Sequence, residues 1–353
     1  MATKAIGHLI NRLQLLCITS GVCMCLLVTT ARGQEDIQKT LDTRHLPADT
    51  FCVLAVNTRS LATIFRVENA KTPNTVDLCT FEHITLLASP QYDSELLANV
   101  VAVKQFPENF TQQAIFANAG KDFFFRDFEF AKTIYCDQEI YCPTFSGNGG
   151  PVEAGFSSPT LLFANEHTVV MGAKAAIYRV IDGRAKNSSG KSLAKEVDLT
   201  SEIHVLLEDG EKALFSAPFS NWFEFIDLSS TDAEHLKRIA RFEFRLNLNE
   251  MIPLRIEVLL KPDFLPDEFE LSAFSTPLIV QNACALINAI RPNTDKDELR
   301  SFSQLVDKLL ADVDIQHNGR TITVCFENHD SVKQALAKLI ELVSESEKAT
   351  GAR

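Results

Sequence analysis

The stretch Phe51-Cys52-Val53-Leu54-Ala55-Val56 decides the fold, because the chain comes back to it. It is an apolar run of strand length, and helical spacing follows over residues 60–67. Its counterpart is Ile203-His204-Val205-Leu206-Leu207, followed by a helical pattern over 212–226. Further out, the strand-length runs 84–87 and 100–104 return as 242–246 and 256–261. Thr168-Val169-Val170-Met171-Gly172, leading into a helix over 173–181, answers Thr321-Ile322-Thr323-Val324-Cys325, leading into 332–343. The matches keep one order at offsets of about 150 to 160 residues, which is how a duplicated unit shows itself in sequence.

Each copy reads as strand, helix, two or more strands, a further strand and a closing helix. The expected class is α+β: two copies of a module with an antiparallel or mixed sheet covered by helices on one face. The copies differ in what they insert. The first carries residues 114–141, with Phe124, Phe128 and Phe130 at mainly period-two spacing, and a Gly-rich turn at Ser146-Gly147-Asn148-Gly149-Gly150. The second carries a helix over about 267–290 and another opening at the cap-like Thr294 and running to Leu310. The expected organisation is a signal peptide over 1–33, a first module over 34–183, a linker over 184–200, a second module over 201–345 and a polar tail over 346–353. Asn187-Ser188-Ser189-Gly190 marks the linker.

The N-terminus points to export. Lys4 and Arg12 precede an apolar run over 13–30, and Ala31-Arg32-Gly33 places small residues where a signal peptidase requires them, so cleavage is expected before Gln34. The competing reading is a membrane anchor formed by residues 13–30, since a spanning helix needs roughly 20 apolar residues. Thr19, Ser20, Gly21, Thr29 and Thr30 dilute the run and favour cleavage. No small-residue lipoprotein box precedes Cys17, Cys23 or Cys25. The expected location is periplasmic or extracellular, with membrane contact only if the signal segment is retained. Losing Lys4, Arg12 and Arg32 moves the formal charge from -12 to -15. Such a chain is ill suited to nucleic acid or anionic lipid, both of which require concentrated positive charge.

Six cysteines lie beyond the signal segment: Cys52, Cys79, Cys136, Cys142, Cys284 and Cys325. An even count in an exported chain permits disulfides, with about 15 pairings open. Cys136 and Cys142 flank a span short enough to close as a stapled loop and form the candidate disulfide. Cys52, Cys284 and Cys325 sit in apolar stretches, where a buried free thiol is the equal alternative.

No motif carries catalysis, and no cofactor or metal site is expected. Ala185-Lys186-Asn187-Ser188-Ser189-Gly190-Lys191-Ser192 ends like a phosphate loop but has Ala185 where the first glycine belongs. A calcium loop at residues 312–317 would need glycine where His317 stands, and Val313 with Ile315 read as strand residues. Residues 293–298 fail likewise and suit a capped helix start. The histidines are scattered singly, which fits surface or strand-end positions, and Glu82-His83 and Glu166-His167 are neighbours pointing to opposite faces of a strand. Gly155-Phe156-Ser157-Ser158-Pro159 lacks the second glycine of a nucleophile turn. Asp263, Asp267, Glu268 and Glu270 read as a solvated loop and helix start rather than paired catalytic carboxylates. Leu214, Phe215, Phe219, Trp222, Phe223 and Ile226 form a helical apolar stripe of core type. With 25 Phe against four Tyr and one Trp, the aromatic content points inward rather than to a wet sugar platform.

Leu46-Pro47-Ala48-Asp49-Thr50-Phe51-Cys52-Val53-Leu54-Ala55-Val56-Asn57, preceded by a signal peptide, resembles uncharacterised exported proteins of planctomycete-type bacteria. Leu193-Ala194-Lys195-Glu196-Val197-Asp198-Leu199-Thr200-Ser201-Glu202-Ile203-His204-Val205 is similar to the start of their second half. The resemblance covers most of the mature chain and implies export and duplication. It supplies no catalytic or binding residue.

The function expected from these readings is a non-enzymatic, extracytoplasmic interaction or structural protein whose partner is another exported protein bound at a sheet edge. The alternative is a hydrolase or small-ligand-binding protein with its site between the two modules.

Overall fold

The structure, a computed structural model, describes residues 47, 50–57, 60, 83–88, 100–106, 129–144, 159–185, 193–210, 237–265 and 296–338. The readings that fall elsewhere lie outside the described residues: the signal segment, the helices expected over 212–226 and 267–290, the Gly-rich turn at 146–150 and the loop around Ser157. The described residues divide into two compact units. One holds those up to Thr200 together with His204–Leu206, and the other holds Ser201–Ile203 and those from Leu207 onward. Both are antiparallel and rich in strand, an α+β composition in which sheet outweighs helix.

The first unit contains β1 (Cys52–Asn57), β2 (His83–Ala88), β3 (Val100–Gln105), β4 (Glu129–Tyr135), β5 (Gln138–Thr144), β6 (Pro159–Phe163) and β7 (Thr168–Ala173). They lie in the order β1-β2-β3-β7-β6-β5-β4, every neighbouring pair antiparallel. Strand alternation puts Val53, Ala55, Val101, Val103, Val170, Leu162 and Ile140 in one core cluster. The register explains it: Val103 pairs with Val170, Val170 with Leu162, and Leu162 with Ile140. Helix α1 (Lys174–Ala185) leaves β7 directly and buries Ala176, Ile177, Val180 and Ile181 in the same cluster. Each fully buried aliphatic side chain there stabilises the fold by about 1.5 to 3 kcal/mol. Leu161, Val169 and Met171, on the opposite face of β6 and β7, are buried too. Burial on both faces is why these strands read as unbroken apolar runs rather than alternating ones.

Within the span expected as linker, α1 continues to Ala185 and a 3-10 turn occupies Leu193–Glu196. Leu193, Val197 and Leu199 belong to the core cluster of the first unit.

The second unit contains β9 (Ile239–Leu246), β10 (Leu254–Leu260), α2 (Lys296–Ala311), β11 (Val313–Asn318) and β12 (Thr321–Phe326), together with the two ends of β8 (Ile203–Glu208), whose His204–Leu206 count with the first. The strand order is β8-β9-β10-β12-β11, with antiparallel registers from β9 to β11. One side of the sheet is apolar: Leu246, Leu254, Val258, Leu260, Ile322, Val324 and Phe326 are buried. Helix α2 matches the one expected to open near Thr294. It buries Phe302 and Val306, exposes Asp297 and Arg300, and carries Lys308 in its last turn, where a cation suits the helix dipole. A further helical segment over 329–338 is capped by Asn328, whose Oδ1 accepts the Ser331 N–H at 3.0 Å.

The register sets the two residues of the candidate disulfide apart. Cys136 and Asp137 form the two-residue turn between β4 and β5, while Cys142 pairs with Ala131 deep in the hairpin. Five residues of strand at about 3.4 Å each separate the two cysteines by roughly 17 Å, and a bridge requires a Cα separation of about 4.4–6.8 Å. Both are free thiols, Cys136 exposed and Cys142 half-buried with its Sγ 3.7 Å from Thr160 Oγ1.

Candidate functional site

The tip of the β4–β5 hairpin is built from unlike parts. Cys136 and Asp137 both take positive φ, 46° and 60°, which gives the turn a twist that suits the flanking strands. Just before it, Tyr135 lies flat on Tyr178 of α1, with ring centroids 3.7 Å apart and planes 3° from parallel, and its hydroxyl donates to Asp182 Oδ1 at 3.1 Å. Burial, and then the Asp182 carboxylate, push the Tyr135 phenol above its ordinary pKa. The hairpin is therefore fixed to α1 at one end. Between these fixed points β4 is open: Ala131, Lys132, Thr133 and Ile134 are exposed, Ile134 by 69 %. β4 ends the strand order, and Lys132 forms an ion pair with Glu139 on β5 that raises the lysine's pKa.

Within residues 193–205, His204 and Glu202 are buried ionisable groups. His204, 1 % exposed, accepts the Asp198 N–H through Nδ1 at 2.8 Å, and Asp198 Oδ1 in turn accepts from the N–H and hydroxyl of Thr200. In the first unit, Asn57 donates through Nδ2 to the Leu199 carbonyl at 3.3 Å and accepts the Ser60 N–H at 2.8 Å. In the second unit, the wholly buried Glu202 accepts the Leu248 N–H at 2.7 Å and Asn249 Nδ2 at 3.4 Å. These contacts lock the loops in place.

The other residues weighed from sequence stay apart. Residues 313–318 are strand β11, with Val313 and Ile315 half-buried and Asp314 and Gln316 exposed, so they form no ion-binding loop. Glu166 and His167 sit in the turn between β6 and β7, and the His167 carbonyl accepts the Phe106 N–H at 2.8 Å. Among the described residues no three His, Cys, Asp or Glu side chains gather as a metal site would require. Cys52 is buried and its thiol is pushed up to about 12, and burial also raises Cys325; both are inert as nucleophiles. The buried state of His204 was missed in sequence. The signal was its alternation with Leu206 along β8, which puts both on one inward face.

Among the described residues no helix is long and apolar enough to cross a membrane. Comparison with protein-family models, with curated proteins and with solved structures gives no match.

Proposed function

We propose that this chain is an exported, non-catalytic protein made of two copies of one antiparallel module, which binds another exported protein by adding that partner's strand to the edge of β4. The duplication is supported by the strand orders. β1-β2-β3-β7-β6 in one unit and β8-β9-β10-β12-β11 in the other follow the same path, and in each a helix follows the fourth strand of that order, β7 or β12. The β4–β5 hairpin extension and α2 are then the insertions that distinguish the copies.

The observation that carries the binding role is the open side of β4, with four successive exposed residues ending in the apolar Ile134. Such an edge presents unpaired backbone groups to any extended segment. The other terminal strand, β11, is less inviting, since Asp314, Gln316, His317 and Asn318 are all exposed and polar. The test is a mild cross-linking pull-down of tagged protein from its host, with intact mass read on the same sample. A stoichiometric partner lost on Thr133→Pro and Ile134→Lys, together with cleavage before Gln34, is expected. Capture indifferent to both substitutions would end the edge-strand reading, and a retained leader would replace cleavage before Gln34 with the anchor over residues 13–30.

A further inference from the structure

One face of the second sheet has an arrangement of charge that the fold itself does not require. Alternation places Arg241, Glu243 and Arg245 of β9 on the side opposite the apolar core, beside Arg255 and Glu257 of β10. A sheet that only needed to solvate this face would set arginine opposite glutamate, because opposite charges in register attract and like charges repel. Here the register does the reverse. Arg245 pairs with Arg255, and Glu243 with Glu257, so like charges face each other across the strands. The ion pairs run along each strand instead, Arg245 to Glu243 at 2.8 Å and Arg255 to Glu257 at 2.7 Å.

Each guanidinium of the Arg245–Arg255 pair thus commits one terminal nitrogen to its own strand's carboxylate. The remaining donors of two neighbouring forks stay on a side chain about one-third exposed for Arg245 and about one-half for Arg255. Arg245 Nε is buried and has no acceptor among the described residues. A planar or tetrahedral oxyanion between the two forks would accept from their remaining terminal donors, bridge Arg245 to Arg255 and offset the repulsion between them.

We propose that Arg245 and Arg255 form a receptor for a single oxyanion group, a carboxylate or a phosphate, on the polar face of the second sheet. With the whole chain at -12, long-range attraction does not draw the anion in, and binding rests on short hydrogen bonds from the two forks. The site shares no residue with the β4 edge and stands whether or not that edge binds a partner.

The test uses the full chain with its arginines labelled, followed through their Nε–H resonances during titration with sodium phosphate, with sodium acetate and with sodium chloride at matched ionic strength. Arg245→Lys assigns the Arg245 resonance by its disappearance. The expected result is a saturating shift of that resonance with phosphate or acetate, and whichever anion saturates identifies the group. Arg255→Gln should weaken the response by about ten-fold or more, the loss of one charge-assisted contact. If Arg255→Gln fails to give a dispersed spectrum, Arg255→Lys serves, because it keeps the charge and removes the fork. A linear drift equal in all three salts, or a folded Arg255 variant that titrates as the parent does, would overturn the proposal.

Discussion

Glu202 and Leu248, forty-six residues apart, are joined by a hydrogen bond of 2.7 Å in which a wholly buried carboxylate accepts a backbone N–H. The bond closes the β9–β10 connection, where Asn249 Nδ2 also reaches Glu202 and Asn247 Nδ2 reaches Glu250 Oε1 at 2.9 Å. Glu202→Ala removes the acceptor and leaves the Leu248 N–H buried and unmade, and the expected cost is about 2 to 4 kcal/mol. Glu202→Gln keeps an oxygen acceptor and should cost about half as much. Urea unfolding curves of the two variants beside the parent check the order, and equal stability of Glu202→Ala and parent would show that the bond contributes nothing.

Tyr135 couples the hairpin to α1 in a way that depends on pH. Its phenol is raised first by burial and then by the Asp182 carboxylate that accepts its hydrogen bond. A raised folded-state value means the folded chain holds this proton more tightly than the unfolded chain. The contribution is therefore complete below the unfolded phenol value of about 10 and is lost as pH rises through the folded one. Tyr135→Phe should lose that part of the alkaline decline in stability while keeping the stack on Tyr178. Thermal unfolding of both proteins across the alkaline range, with tyrosinate absorbance followed on the same samples, reads the effect. Parallel declines would refute it.

The thiols should separate by burial. Cys136 is exposed in a turn, whereas Cys52 and Cys325 are buried with raised thiol values, Cys52 at about 12. A thiolate is the reactive form, so brief maleimide treatment near neutral pH should modify Cys136 and spare Cys52 and Cys325. Peptide masses with and without prior reduction should show the same modification of Cys136 and no peptide joined to Cys142. A reduction-sensitive link between them would require the β4–β5 register to be different.

The sequence carried the strands well because burial leaves a periodic trace. Residues 51–56, 168–172 and 321–325 are where the apolar runs fall, and β1, β7 and β12 are found there. Pairing left a much weaker trace. Cys136 and Cys142 look close along the chain, and only the register, fixed by a two-residue turn, shows that one is at the tip and the other well inside the hairpin. The Arg245–Arg255 pairing was hidden for a similar reason. Alternation in β9 is visible, but which residue of β10 lies opposite depends on the 247–253 connection. The exposed edge of β4 was equally silent, since a strand's neighbours are a property of topology rather than composition.

The two hairpin turns predict opposite responses to substitution. In the β11–β12 turn, Gly319 takes φ 59° and a Cβ there would meet nothing within 4 Å, so Gly319→Ala changes only the backbone preference. The left-handed conformation costs an L-residue about 1 kcal/mol or somewhat more, and stability should fall by that amount. In the β4–β5 turn the strain is already present, because Cys136 and Asp137 hold φ of 46° and 60° where asparagine and glycine are favoured. Asp137→Gly should relieve it and raise stability by about 0.5 to 1 kcal/mol, the gain in folded-state fit being partly offset by a freer unfolded chain. Cys136→Asn should add a smaller gain in the same direction, and its effect should nearly add to that of Gly319→Ala because the two turns belong to different units. Urea midpoints of the single and combined variants test the signs. A destabilising Asp137→Gly would mean that the aspartate side chain, not the backbone, is what holds the turn.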